Sequence, residues 1–238
     1  ENYKNKMEFG TFIKLYEYNF NPKSLAGLAT TQLNYRISNL LPKIGYPVQI
    51  FERRTSFKNP LTTNSPQLSI KGVHYRLSKD YSNNLEHGFP KTKKITFEDN
   101  PVDISIYAFK KDKKSDKYFN DKDRLIFSIN GQSHHTENKI IFQNTEMKKI
   151  AYIKNDLFFA IDISSFDDHI KADLVGGDRD GFNKIDLFDD LKKRIFKSIG
   201  TDSDLLKIVQ ERKRMDLEKG NKKAKEFIQE SISNIINS

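Results

Sequence analysis

The stretch Leu157 to Ile163 (LFFAIDI) decides the fold, because it is an almost unbroken run of large apolar side chains. A strand that is exposed to water on one face alternates apolar and polar residues, whereas a strand covered on both faces has no need to. The run therefore predicts a strand at the centre of a sheet, with other elements packed on both sides. One acidic residue, Asp162, interrupts it near the carboxyl end.

The segments that precede this run supply its neighbouring strands. Arg124 to Asn130 (RLIFSIN) predicts a second apolar strand, which Gly131 ends. Ile95 to Phe97 and Val102 to Phe109 predict a hairpin whose turn lies within Glu98 to Pro101. In the longer strand of that hairpin, apolar residues occupy every second position, which predicts one buried face and one polar face.

The amino-terminal part of the chain predicts strands on either side of one helix. Asn21 as N-cap and Pro22 in the first turn open this helix, and Pro42 ends it. The spacing of apolar and β-branched residues predicts the remaining elements. These are strands over Gly10 to Tyr18, Val48 to Arg53 and Leu68 to Leu77, an exposed loop over Thr55 to Ser65, and a turn or short helix over Tyr81 to His87.

The carboxyl-terminal part predicts helices. Ile140 to Tyr152 is partly helical, and Leu187 to Ile199 places its apolar residues on one side at helical spacing. The residues Thr201 to Asp204 form a capping pattern for a helix that runs through Arg214. We expect Gly220 to interrupt that helix. A final apolar stripe then packs either on the domain or on a neighbouring molecule, and its members are Ala224, Phe227, Ile228, Ile232, Ile235 and Ile236.

Together these elements predict the α/β (α+β) class, with a mixed sheet, helices on one face and an added carboxyl-terminal helical segment. A chain of 238 residues holds one large domain or two small ones. We expect three segments: residues 1–20, residues 21–200, which form the α/β domain, and residues 201–238, which form the terminal helices.

The composition excludes several classes of protein. With 36% hydrophobic, 31% charged and 12% aromatic residues, the chain is globular rather than disordered. No window reaches the roughly 18 uninterrupted apolar residues of a membrane span, and residues 1–10 lack the apolar stretch of a secretory signal. The absence of cysteine excludes disulfides, thiol catalysis and thiolate metal sites. We therefore expect a soluble cytoplasmic protein.

The net charge of +9 and the pI near 9.4 favour an anionic partner such as nucleic acid. The basic residues are, however, interleaved with acidic ones along the whole chain. The stretch Lys110 to Arg124 (KKDKKSDKYFNDKDR) contains seven bases and four acids. It has two interpretations, a solvated hairpin loop or a contact with nucleic acid.

Three segments, in order along the chain, resemble parts of the GHKL (Bergerat-fold) ATPases. Gly10 to Leu15 (GTFIKL) resembles the last strand of the nucleotide-binding fold, in which a Gly-Thr pair precedes an apolar strand. Arg124 to Gln132 (RLIFSINGQ) is similar to the strand and Asn-Gly turn of the transducer domain in MutL-like and MORC-like ATPases. Phe158 to Gly181 (FFAIDISSFDDHIKADLVGGDRDG) looks like the next central strand and its long loop in bacterial MORC-like proteins. The likeness spans roughly residues 10 to 200.

The resemblance implies that residues 1–20 hold the final strand of a nucleotide-binding domain and that residues 21–200 form a transducer with a βαβ unit of ribosomal-protein type. In that family the transducer docks on the nucleotide-binding domain and relays the ATP state to dimer closure, in DNA-related or defence processes. The groups that bind adenine and magnesium would precede Glu1. ATP and magnesium would thus be cofactors of the intact protein and not of the isolated chain. The implied partners are the nucleotide-binding domain, nucleic acid and a second copy, with no membrane.

The same resemblance points to a cation that reaches the γ-phosphate of ATP from the loop 176–181 (GGDRDG). This loop has no Lys at its tip, so Arg179 stands in its place, with Lys184 as the second candidate. Gly176 and Gly177 would let the backbone approach a phosphate closely. Arg suits phosphate because its planar group donates paired hydrogen bonds. The alternative is a structural Arg179 that pairs with the aspartates on either side of it.

The pair Asn130-Gly131 predicts a turn, since both residue types tolerate positive φ. The turn would present the residues Gln132 to His135 at a strand end, where ligands bind in open α/β sheets. Adjacent histidines on an extended chain point to opposite sides, which makes them poor ligands of one metal ion. Gln132 and His134 remain as candidate phosphate ligands.

Two other classes of function stay open. A metal-dependent nuclease would use oxygen and imidazole ligands, which suit magnesium, manganese or iron. The candidates are Asp162, Asp167, Asp168, His169, Asp178 and Asp180. Of these, only Asp162 is well placed, because it lies on the predicted central strand. A binding module for DNA or a protein would require the basic residues to converge in space.

Overall fold

The computed structural model describes residues 34–45, 48–50, 68–111, 113, 123–175, 182–183 and 186–236. Its strands are β1 (Val48–Ile50), β2 (Leu68–Ile70), β3 (Lys91–Phe97), β4 (Asn100–Ala108), β5 (Leu125–Ile129), β6 (Gln132–Glu137) and β7 (Leu157–Asp162). Its α-helices are α1 (Asn34–Leu40), α2 (Val73–Tyr75), α3 (Asp168–Leu174), α4 (Asp186–Gly200) and α5 (Ser203–Ile236). Shorter helical segments are the π turn Arg76–Asp80 and the 3-10 segments Ser82–Asn84, Lys139–Gln143 and Met147–Asp156.

Strand β7 is the central strand of a five-stranded mixed sheet with the order β3-β4-β7-β5-β6. It pairs antiparallel with β4 and parallel with β5, while the two outer pairs are antiparallel. Its residues from Leu157 to Ile161 are all buried. The predicted α/β class and the predicted central strand are therefore confirmed. Strands β1 and β2 form a separate antiparallel pair.

Two tight turns join the outer pairs of strands. Glu98 and Asp99 join β3 to β4 with φ angles of 45° and 59°, and Asn130 and Gly131 join β5 to β6 with φ angles of 51° and 80°. Two central residues with positive φ match the twist of a hairpin. Both predicted hairpin turns are confirmed, and the residues that follow Asp99 already belong to β4.

The lysine-rich stretch after β4 does not close a hairpin, because β7 lies between β4 and β5. The interpretation as a hairpin loop is therefore wrong. Arg124, expected at the end of a solvated loop, is fully buried and donates a hydrogen bond to the carbonyl of Asn155 at 3.0 Å. A buried guanidinium needs such acceptors, and here it ties the start of β5 to the 3-10 segment that precedes β7.

Different elements cover the two faces of the sheet. One face packs against α3, α4, α5 and two of the 3-10 segments, and Phe159 of β7 and Leu191 of α4 belong to the same buried core there. This is the predicted layer of helices. On the opposite face, Phe158 packs with Val73 and Leu77 in a smaller core. The short α2 segment and the π turn therefore supply the second cover that the apolar run predicts, although the sequence pattern indicated a strand in this segment.

The strand expected over Leu68 to Leu77 is only partly correct. Strand β2 ends at Ile70, and α2 begins at Val73. Val73 and Leu77 are both completely buried, and a spacing of four residues places two side chains on one face of a strand or on one side of a helix. The pattern therefore could not separate the two structures. Gly72 lies between β2 and α2, and the backbone of the segment Leu41 to Pro42 passes close to it.

Several other predictions from the amino-terminal half agree with the structure. Helix α1 ends just before Pro42, strand β1 starts at Val48, and a short 3-10 segment lies within Tyr81 to His87. The predicted helical character of Ile140 to Tyr152 is present as 3-10 turns. The predicted strand Gly10 to Tyr18, the first part of the following helix and the loop Thr55 to Ser65 lie outside the described residues.

The carboxyl-terminal helices differ from prediction in one cap. Helix α4 confirms the predicted apolar helix. Helix α5 is capped by Asp202 rather than Thr201, since the Asp202 carboxylate accepts hydrogen bonds from the amides of Asp204 at 3.1 Å and Leu205 at 3.2 Å. The Thr201 hydroxyl instead donates to the carbonyl of Lys197. A carboxylate at this position also complements the positive end of the helix dipole.

Gly220 does not interrupt the last helix, because α5 continues from Ser203 through Ile236. A single glycine costs a helix only about 1 kcal/mol relative to alanine, which is too little to end it. The side chains of the predicted apolar stripe beyond residue 225 lie outside the described part. None of the helices that the structure describes carries the apolar length needed to cross a bilayer.

Candidate functional site

Several polar groups meet where β5 and β7 end. Because these two strands are parallel, their carboxyl ends lie at the same edge of the sheet. Asp162 is the last residue of β7, Ser164 follows it, and Asn130 follows β5. Lys43 joins them from the segment after α1, and His74 of α2 lies near by. We call these five residues the polar cluster.

The contacts within the polar cluster centre on Asp162. Its Oδ2 atom accepts a hydrogen bond from Lys43 Nζ at 2.5 Å. Its Oδ1 atom accepts hydrogen bonds from the amide of Ser164, at 3.0 Å, and from the hydroxyl of the same residue. That hydroxyl in turn accepts from the amide of Asn130 at 2.7 Å. The cluster thereby links the ends of two parallel strands to one lysine.

The electrostatics of the cluster keep Asp162 ionised. Burial opposes ionisation of this carboxyl, but the hydrogen bonds from Lys43 and Ser164 outweigh burial and hold its pKa below the ordinary value. The Asp162 side chain is 15% exposed, whereas that of Lys43 is 50% exposed. The ammonium group is therefore the part of the ion pair that solvent or a ligand can reach.

Two glycines hold the backbone of Lys43 in place. A Cβ atom on Gly72 would lie 2.3 Å from the carbonyl oxygen of Pro42, and a Cβ atom on Gly131 would lie 2.4 Å from that of Lys43. Hydrogen bonds join the same segments, from the His74 amide to the Pro42 carbonyl and from the Lys43 amide to the Gly131 carbonyl. Only residues without a side chain permit this approach. The position of the lysine is thus built into the fold.

His74 contributes a neutral imidazole. Burial, and secondarily Lys43, lower the pKa of His74 to about 4. Its Nδ1 atom lies 2.6 Å from the hydroxyl of Tyr107, and burial raises the pKa of that hydroxyl. The phenol therefore stays protonated and is available to donate to Nδ1, which places the imidazole proton on Nε2. Nε2 is buried and has no hydrogen-bond partner among the described residues.

A cleft of about 530 Å³ opens beside the polar cluster. Its walls are the segment Pro42 to Gly45 and parts of the segment Ile70 to Ser78, and both Lys43 and His74 line it. An anionic group that entered this cleft would have access to the half-exposed ammonium of Lys43. The arrangement suits recognition of a negatively charged group more than proton transfer, since the imidazole proton is buried.

The loop that carries Arg179 is closed at its base. Val175 and Phe182 form an antiparallel bridge across it. The backbone amide of Asn183 donates a hydrogen bond to the carbonyl of Leu174 at 2.8 Å. The side-chain amide of Asn183 donates to the carbonyl of Asp173, also at 2.8 Å. The two ends of the loop are therefore fixed to the end of α3. The candidate residues Arg179, Lys184, Gly176 and Gly177 themselves lie outside the described residues.

The candidates Gln132 and His134 both belong to strand β6, and Gln132 is its first residue. The turn at Asn130 and Gly131 is so tight that pairing resumes at once, with Gln132 opposite Ile129. Gln132 is exposed and stays near the sheet edge of the polar cluster. His134 lies farther along, at a β-bulge in the pairing. Along the chain, Gln132 is thus the nearer of the two to the polar cluster, two residues after Asn130.

The acidic residues of the nuclease interpretation that the structure describes do not converge on a metal site. Within the described residues, no three His, Asp or Glu side chains lie close enough to hold a metal ion. Asp162 is engaged in the polar cluster, while the side chain of Asp168 is fully exposed and pairs with Lys171 at 3.3 Å. Asp178 and Asp180 lie outside the described residues.

Sequence reasoning missed Lys43, Ser164 and His74. Lys43 and Asp162 are 119 positions apart, so no local spacing could connect them. The available signals were indirect: Asp162 at the end of an apolar strand, and Gly131 in a turn beside it. Neither signal identifies the lysine, because its placement depends on how α1 packs against the sheet.

No relative provides a function for this chain. It matches no protein-family model, and no curated protein or solved structure is significantly similar to it.

Proposed function

We propose that this chain is the transducer portion of a GHKL-type ATPase, which docks on a nucleotide-binding domain and relays the state of bound ATP. The observation that carries the proposal is an accessible cation at the carboxyl edge of the parallel strands. The Lys43 ammonium is half exposed, rests on Asp162 and lines an open cleft. The mixed sheet with its layer of helices is compatible with this role.

The chemistry that such a cation supplies is stabilisation of charge. A γ-phosphoryl group gathers negative charge during transfer, and a positioned cation lowers the barrier by stabilising that charge. In the undocked protein, the ion pair with Asp162 would fix the position of the Lys43 ammonium. On docking, the γ-phosphate would replace Asp162 as the partner of Lys43. Because the contact would exist only when the two domains meet, loss of the γ-phosphate would weaken docking.

Arg179 is the cation that the resemblance assigns, with Lys184 as its alternative. The bridge between Val175 and Phe182 brings together the two described residues that flank the Arg179 segment. Lys43 and Arg179 are therefore two candidates for one role, supported by different observations. Lys43 is supported by its contacts, and Arg179 by the likeness of its loop to the family.

In the intact protein the proposal implies ATP and magnesium as cofactors, a nucleotide-binding domain as partner, and a cytoplasmic location. A second copy would take part through dimer closure. For the isolated chain we expect no hydrolysis of ATP and no cleavage of DNA with magnesium or manganese. The coding region upstream of Glu1 is expected to encode a GHKL nucleotide-binding fold.

ATP hydrolysis by the protein expressed with that upstream region tests the proposal. We expect Lys43→Ala or Arg179→Ala to leave nucleotide binding nearly intact while lowering kcat by about 100-fold, the usual scale for loss of one charge-stabilising group. Lys184→Ala tests the alternative cation. Lys94→Ala is the control, since Lys94 is an exposed lysine of β3. The proposal is wrong if kcat stays unchanged in all three cation variants.

A further inference from the structure

Lysines from separate chain segments meet around Asp216 of α5. Lys111 Nζ donates to Asp216 Oδ1, and the Tyr152 hydroxyl donates to Oδ2 at 2.6 Å. Lys213 Nζ lies 5.5 Å from the centre of the Tyr152 ring, which is 48% exposed. The pKa of Asp216 is lowered because Lys111 and Tyr152 donate to its carboxylate and Lys219 lies near it. The ammonium groups outnumber Asp216, and the neighbouring Glu218 pairs with Arg214 at 3.7 Å, so the surface is positive.

Beyond this group of lysines, α5 leaves the domain. Every side chain from Leu217 through Lys225 is exposed, and that of Leu217 is 70% exposed. At 1.5 Å per residue, this stretch is about 13 Å long. Lys219, Lys222 and Lys223 are three and four residues apart and share one side of the helix. Glu218 precedes Lys222 by four residues, and the three lysines outnumber it on this side of the helix.

We propose that Lys111, Lys213, Lys219, Lys222 and Lys223 form a basic ridge that binds the phosphate backbone of double-stranded DNA. The inference goes beyond the proposed coupling to ATP and does not depend on it. Lysines contact phosphates as point charges on flexible stems. The binding is therefore expected to be strongest at low salt and independent of base sequence.

The shape of the ridge favours B-form DNA over other polyanions. A helix that is exposed on all sides fits the major groove of B-DNA, which is about 12 Å wide. The deep, narrow major groove of A-form RNA does not admit such a helix. Lys111 and Lys213 lie at the base of the exposed stretch, on the domain itself, where they can hold the phosphate backbone beside the groove.

Fluorescence anisotropy of a labelled DNA duplex of mixed sequence, titrated with the full chain at several salt concentrations, tests the proposal. The ridge variant carries Lys111→Gln, Lys213→Gln and Lys219→Gln. The control variant carries Lys94→Gln, Lys193→Gln and Lys197→Gln, which removes the same charge from exposed lysines outside the ridge. We expect the ridge variant to raise Kd at least about tenfold near 0.1 M salt and to reduce the slope of log Kd against log salt by about 2 to 3. The control should change Kd less than about twofold.

A second ridge variant distinguishes loss of DNA binding from loss of the folded structure. Lys219→Gln, Lys222→Gln and Lys223→Gln lie on the exposed stretch of α5, so the domain should fold unchanged, and the loss of DNA affinity should have the same direction. Equal losses in ridge and control variants, or no binding by the unmodified chain at low salt, would overturn the proposal. Equal affinity for an RNA duplex, or preference for phosphatidylserine vesicles, would show that the partner is not B-form DNA.

Discussion

At the scale of single residues, Gly131 determines where Lys43 can lie. Gly131 has a φ of 80°, and a Cβ atom there would lie 2.4 Å from the Lys43 carbonyl oxygen. Gly88 has a similar φ of 83° but no atom within 4 Å of the corresponding position. Alanine substitutions at the two glycines can therefore be compared. The substitution at Gly88 measures the free-energy cost of backbone strain alone, and the one at Gly131 adds the cost of displacing the Lys43 segment.

We expect Gly88→Ala to lower the free energy of unfolding by about 1 to 2 kcal/mol, the cost of a left-handed backbone with a side chain. Gly131→Ala should lower it by about 2 kcal/mol more, because the added methyl group also displaces the Lys43 segment. Urea unfolding of both variants measures the difference. Equal losses would mean that the close approach at Gly131 does not hold the lysine.

His74 links the stability of the fold to pH. An unfolded histidine ionises near about 6.5, whereas burial and then Lys43 lower the pKa of His74 in the folded chain to about 4. As the pH falls below about 6.5, the unfolded chain therefore takes up a proton that the folded chain does not, and stability is lost progressively toward pH 4. The lowered pKa of Asp162 acts at lower pH, since its stabilisation is lost only as the pH falls through its folded value.

We expect the native chain to lose about 2 kcal/mol of stability through His74 between pH 7 and pH 5. The His74→Gln variant lacks the titrating group. Between pH 7 and pH 5 it should therefore lose about 2 kcal/mol less stability than the native chain. Urea unfolding at the two pH values checks this. An identical pH dependence in both proteins would show that His74 is not the responsible group.

At the scale of elements, Arg212 joins α5 to the rest of the domain through hydrogen bonds of its guanidinium group. It is 4% exposed and donates to Asp156 Oδ2 at 2.5 Å, to Glu86 Oε1 at 2.9 Å and to the carbonyl of Phe109. These groups come from three different parts of the chain. The guanidinium therefore fixes the last turns of α5 before the helix leaves the domain.

Removal of this contact should be costly, because Asp156 and Glu86 would keep their charges and lose the guanidinium that neutralises them. We expect Arg212→Ala to lower the free energy of unfolding by about 3 to 5 kcal/mol. Arg214→Ala is the matched control, since Arg214 is exposed and its pair with Glu218 spans 3.7 Å. Its effect should stay below about 0.5 kcal/mol. Denaturation followed by circular dichroism measures both, and similar small effects would contradict the anchoring role of Arg212.

Elements with a distinctive pattern could be predicted from the sequence, and their spatial assembly could not. The apolar run of β7 and the turn at Asn130 and Gly131 each carry a local signal, and both are confirmed. The segment after β2 carries an ambiguous pattern, because Val73 and Leu77 satisfy a strand or a helix equally. The ion pair of Lys43 with Asp162 depends on packing between distant segments, so no local pattern encodes it.

At the scale of the whole molecule, β7 separates two polar surfaces. Its carboxyl end carries Asp162 and the polar cluster. Its amino end pairs with the end of β4, where Ala108 lies opposite Leu157 and leads toward the basic ridge. A buried central strand thus lies between a surface proposed to sense nucleotide and a surface proposed to bind DNA. The arrangement suits a domain that couples two partners.

The most direct test of the proposed coupling role is the affinity of this chain for the nucleotide-binding domain that the proposal places upstream, measured by isothermal titration calorimetry. The proposal predicts that a non-hydrolysable ATP analogue with magnesium tightens the complex at least about tenfold relative to ADP, within the usual range of coupling between sites. Lys43→Ala or Arg179→Ala should abolish that difference, and Lys94→Ala should retain it. Absence of a complex, or equal affinity with the two nucleotides, would contradict the account.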